Sequence, residues 1–175
     1  MGTIQNFPYL YSSKSLLLSE NICTKTLQCV LGLIDTSIPY MQSIAGNVIS
    51  NDLQEGIQSF VNENLEKLIS RWNLKTDATK RELYWNLSFY PRGCSNEDKE
   101  YLIINHMYNS IAFKIIMSPR CEKGLSIKNI STNHVSTLCC EIGEIIMYPC
   151  SFIYPVQINS DFDGDVVVVD GQIIL

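Results

Sequence analysis

Glu141-Ile142-Gly143-Glu144-Ile145-Ile146-Met147-Tyr148-Pro149 is an acidic pair opening an apolar, strand-like run that a proline closes. A carboxylate at the mouth of a buried strand is a poor core residue, because a charge there needs a partner or a chemical task. The stretch reads either as a catalytic edge or as a capped strand, and its flanks decide between the two.

Those flanks read as strands. Ala112 to Met117 is a short apolar run ended by Ser118-Pro119, and Leu125 to Ile130 alternates apolar with polar residues. Phe152, Tyr154, Val156 and Ile158 alternate with period two. Val166 to Val169 and Ile173 to Leu175 flank Asp170-Gly171, a dipeptide that favours hairpin turns.

The first half reads as helices. Leu53, Ile57, Phe60, Val61, Leu65, Leu68, Ile69 and Trp72 form one apolar stripe of 3.6-residue period. Asn51 or Asp52 suits its first turn. Thr26 to Val48, rich in Leu, Ile and Met and interrupted by Pro39, suits two short helices or a kinked one. Helices followed by mostly antiparallel strands give an α+β class. The expected organisation is a single domain over 1–175, with a helical extension at 1–50 and the core at 51–175.

Apolar residues make up 46% of the chain and charged residues 18%, a globular rather than a disordered balance. The net charge of −5 carries no electrostatic footprint for nucleic acid. No apolar run approaches the roughly 20 residues of a membrane span. Seven cysteines without a C-x-x-C spacing suggest reduced, mostly buried thiols and a cytoplasmic setting. Secretion is the alternative, although no stretch reads as a signal peptide. The two sequons, at Asn86 and Asn129, weigh little.

Two longer patterns carry a family resemblance. The run Lys123-Gly124-Leu125-Ser126-Ile127-Lys128-Asn129-Ile130-Ser131, followed after a gap by Glu141 to Pro149, resembles the C-terminal half of the arginine–serine–glutamate mono-ADP-ribosyltransferases. In that family a strand leads into G-x-S-I-x-x-x-S, then an acidic loop, the catalytic glutamate, aliphatics, a proline and an alternating strand. The resemblance covers roughly residues 110 to 175 and is looser upstream.

It implies an NAD cleft between antiparallel sheets and transfer of ADP-ribose to a protein acceptor. Glu144 would stabilise the oxocarbenium-like ribose, with Glu141 as its displaced acidic partner. Arg71 would clamp the dinucleotide, Arg92 being its rival. Ser95 or Ser88 would fix the nicotinamide side. Ile142 stands where arginine-modifying members carry a second acid, and the serine motif is not intact. An inactive relative is therefore one alternative, and a non-catalytic interaction protein is another.

Asn159 to Asp170 also fits a twelve-residue calcium loop, with Gly164 at its turn position. Val166 to Val169, however, is a poor start for the helix such a loop requires. Asp161-Phe162-Asp163-Gly164-Asp165 matches the magnesium signature of multisubunit RNA polymerases over about seven residues, a coincidence in a chain this short. The plainer reading is a polar turn between two strands.

Overall fold

A computed structural model describes residues 11–13, 20–46, 51–77, 79–92, 110–118, 121–129, 132–150, 156–158 and 164–175. Among the described residues two helices, α1 (Glu20–Leu33) and α2 (Asn51–Trp72), accompany nine strands. The eight residues of the apolar stripe are the buried residues of α2. Asp52 in its first turn and Arg71 in its last complement the helix dipole. The helix stops at Asn73, whose φ of 50° places it in the left-handed region. There the Asn73 N–H reaches the Ser70 carbonyl at 3.3 Å and the Leu74 N–H reaches that of Ile69 at 3.0 Å, a Schellman closure.

The strands are β1 (Tyr11–Ser13), β2 (Gln42–Ala45), β3 (Glu82–Tyr90), β4 (Ser110–Ser118), β5 (Cys121–Asn129), β6 (His134–Cys140), β7 (Ile145–Pro149), β8 (Val156–Ile158) and β9 (Val166–Ile174). They form a six-stranded sheet of order β1-β7-β4-β9-β3-β2 and a three-stranded sheet of order β6-β5-β8. Every pairing among the described residues is antiparallel. From β4 onward the chain passes from the large sheet to the small one, back at β7, out at β8 and home at β9. That alternation is the wiring of a double-sheet jelly roll.

The period of two sorts each strand by face. Ile111, Phe113, Ile115 and Met117 of β4, Ile145 and Met147 of β7, and Val167, Val169 and Ile173 of β9 join the core built on α2. The opposite, inner face is covered as well: Ile116, Ile146 and Val168 on it are buried. At about 25 cal/mol per Å² of apolar surface, this two-sided burial is the main force holding the large sheet together.

The expected α+β class with mostly antiparallel sheets is what the structure has. Two local expectations change. The region from Thr26 to Val48 holds the end of α1 and then β2, and β1 and β2 both join the large sheet. Asp170-Gly171 is not a hairpin, because β9 runs straight through it. The glycine serves close packing: a Cβ there would lie 2.0 Å from the Phe113 ring.

Candidate functional site

The inner face of the large sheet carries polar groups in the middle of apolar strands. Lys114 on β4 stands opposite Asp170 on β9, which in turn stands opposite Asn86 on β3. The Lys114 ammonium pairs with Asp170 Oδ1, with the two side chains only 16% and 24% exposed. The Ser88 hydroxyl, buried on β3, donates to Asp170 Oδ2 at 2.7 Å. Asp170 thus joins three adjacent strands through one carboxylate. Both of its oxygens are engaged, as a buried charge requires.

A second layer lies along the same face. Gln172 Nε2 donates to Ser110 Oγ at 2.7 Å, and the Cys150 N–H donates to the Ser110 carbonyl at 2.8 Å. Burial alone would push the Lys114 ammonium down, but the Asp170 carboxylate, Tyr148 and Tyr90 outweigh it and hold it above its ordinary value. Burial pushes the Tyr148 phenol up to about 12, against the opposing pull of Lys114. Burial likewise pushes the Cys150 thiol up to about 11, with a hydrogen bond to Ser110 opposing.

These environments limit the chemistry. Lys114 stays charged at neutral pH and so is no amine nucleophile. Cys150 stays a thiol and so is no thiolate. The cluster is built to hold position and charge. Its signal in the sequence was one lysine inside Ala112 to Met117 and one aspartate after Val166 to Val169, two opposite charges in strands with no other charge.

Among the described residues, those singled out from the sequence do not assemble. Glu144 is buried at the mouth of β7, where its Oε2 accepts the Glu141 N–H at 3.0 Å. The Glu144 N–H returns to the Glu141 carbonyl at 3.0 Å, and Gly143 takes a φ of 77° between them. This is a type II turn tied by its own carboxylate. Glu141 supplies the backbone half of that turn. Arg71 is exposed at the end of α2. The large sheet separates it from Ser88, whose hydroxyl belongs to Asp170. Arg92 is exposed, and its N–H donates to Asp165 Oδ1 at 2.9 Å. Ser95 lies outside the described residues, as do 152–155 of the alternating run and 159–163 of the calcium-loop reading. Of that loop, Asp165 serves Arg92, Asp170 serves Lys114, and the chain continues as β9 rather than as a helix. His134 begins β6, exposed, with Nε2 3.2 Å from Ser136 Oγ. Among the described residues no group of three His, Cys, Asp or Glu side chains is placed to hold a metal ion.

No protein-family model matches the sequence, and no curated protein matches it. Solved structures do match the fold. A prolyl-4-hydroxylase from Pseudomonas putida superposes with a TM-score of 0.67 at 8% identity, covering 95% of this chain and 92% of that one. The fold is that of the prolyl hydroxylases. A viral collagen prolyl hydroxylase from Paramecium Bursaria Chlorella virus-1, solved as a 2OG complex, gives 0.59 at 10% identity over 95% and 97% of the two chains. A prolyl hydroxylase from Trichoplax adhaerens, in complex with a hypoxia inducible factor peptide fragment, gives 0.54 at 13% identity over 97% and 84%.

The likeness overturns the ADP-ribosyltransferase reading, and with it the transferase class, NAD and the NAD cleft. The glutamate–strand–proline order that carried it is real. It is a local pattern of a turn entering a buried strand, and a jelly roll uses it as readily. The net charge of −5 stands against nucleic acid. Among the described residues no helix is long and apolar enough to cross a membrane.

Proposed function

We propose that this chain is a protein-recognition module on the prolyl hydroxylase fold, one that receives a peptide segment without iron-dependent oxidation. The observation that carries this reading is the Lys114–Asp170–Ser88 network, which sets on the inner face of the large sheet polar groups that satisfy one another. Non-haem iron oxygenases hold their metal with two histidines and one carboxylate. This chain has two histidines in all, His106 and His134, so such a triad would need both. His134 is exposed at the start of β6 beside Ser136, and β8 (Val156-Gln157-Ile158) contains none. Among the described residues no such triad is assembled, and those residues do not fit the metal.

The peptide partner is supported by the Trichoplax enzyme, which was solved with a peptide in place. Eighteen acidic residues against thirteen basic ones favour a basic segment. Calorimetric titration with a basic, proline-containing peptide tests this, with and without manganese and 2-oxoglutarate. Binding indifferent to both additions is the expected result.

The second reading is hydroxylation dependent on 2-oxoglutarate, favoured by a fold likeness that spans 95% of the chain. Peptide-dependent release of succinate in the presence of ferrous iron would establish it in place of the first.

A further inference from the structure

The hairpin of β5 and β6 brings two cysteines onto one rung. Its register runs from Asn129 opposite His134 to Leu125 opposite Leu138. A bulge on β5 follows, and pairing resumes with Cys121 opposite Cys140. Directly opposed residues of an antiparallel pair have Cα atoms about 4.5 to 5.5 Å apart. A disulfide spans Cα separations of about 4.4 to 6.8 Å. The rung lies at the open end of the hairpin, and β6 is an outer strand of the three-stranded sheet. Among the described residues Cys23, Cys29 and Cys150 form no disulfide, and burial raises the pKa of Cys23 and Cys150.

We propose that Cys121 and Cys140 are a disulfide-forming pair that locks the open end of the β5–β6 hairpin. The oxidant is a small-molecule disulfide such as oxidised glutathione. One cysteine thiolate attacks a sulfur of that disulfide and expels one small thiol, leaving a mixed disulfide. The second cysteine thiolate then displaces the other small thiol and forms the Cys121–Cys140 bond. Two electrons pass from the pair to the small disulfide, and the two protons lost by the pair are carried by the two released thiols. The closed loop restricts the unfolded chain more than the folded one, so the bond stabilises the hairpin. Cys139, one position off the rung, takes no part.

The test equilibrates the full chain in a buffer of oxidised glutathione, alkylates the remaining thiols and maps linkages by mass spectrometry without reduction. The expected result is that two of the seven thiols escape alkylation and one linked peptide joins Cys121 to Cys140. Cys121→Ser and Cys140→Ser each abolish that peptide, and Cys139→Ser retains it. The thermal midpoint of the oxidised form rises by roughly 5 °C and falls back on reduction. Alkylation of all seven thiols, a Cys139–Cys140 linkage or a link between two chains overturns the proposal.

Discussion

Lys114 and Asp170 face each other across β4 and β9 and form an ion pair on the side of the large sheet away from α2. Ser88 completes the arrangement from β3, so one carboxylate ties three strands that are far apart in the chain. A buried pair of this kind adds little stability over a well-packed apolar pair, yet losing one partner leaves the other charge buried and alone.

Lys114→Met is therefore expected to lower unfolding stability by about 3 kcal/mol, the low end of the range for buried pairs because some exposure remains. The double variant Lys114→Met/Asp170→Leu should recover most of that loss. Urea denaturation midpoints at constant slope measure both. A double variant no more stable than the single one would contradict the pairing.

Alkaline pH should destabilise the fold through three groups at once. Lys114 is held above its ordinary 10.5, Tyr148 rises from 10.0 to about 12, and Cys150 from 9.0 to about 11. In each case the folded chain keeps a proton that the unfolded chain releases. The contribution is complete below about pH 9 and drains away as pH rises toward 12, at about 1.4 kcal/mol per pH unit for each group in its window. Tyr148→Phe should flatten this decline between pH 10 and 12, as followed by chemical unfolding at fixed pH values.

Gly171 admits no side chain. Gly171→Ala drives a methyl group into the Phe113 ring, which is fully buried and has little room to yield. A loss of about 3 kcal/mol is expected. Combining it with Phe113→Leu should restore part of the loss, and thermal unfolding of the two variants reads the difference.

Glu144 is expected to behave as a turn residue. Glu144→Ala removes the acceptor of the Glu141 N–H and should cost about 1 to 2 kcal/mol. Glu144→Gln keeps an acceptor oxygen and should cost less. Peptide affinity measured by calorimetry should be the same for both variants and the parent chain. A tenfold loss of affinity in the folded Gln variant would instead place Glu144 in the peptide-binding site.

Much of the local structure was legible in the sequence. The stripe from Leu53 to Trp72 names the buried face of α2 because the helical period alone decides which residues share a side. The strands β4, β5 and β7 were each visible as apolar or alternating runs, and β9 as two runs on either side of an expected hairpin. β1 and β2 were not, since strands of three and four residues carry too little pattern to stand out from their neighbours. The opening stretch was read as a carboxylate needing a partner or a task, and in the structure Glu144 accepts the Glu141 N–H of its own turn.

What the chain alone determined is thus the period of its longer elements and the places where a charge interrupts an apolar run. Tertiary structure decided how the strands are ordered, and with that what each interruption means. Asp170-Gly171 has the composition of a turn, yet the Phe113 ring and the Lys114 ammonium, brought over by β4, make it the middle of a strand. A turn propensity is worth a kcal/mol or so, whereas burying a strand between two packed faces is worth several. Local patterns recur in many folds. The jelly roll was fixed by long-range pairing, which no short motif encodes.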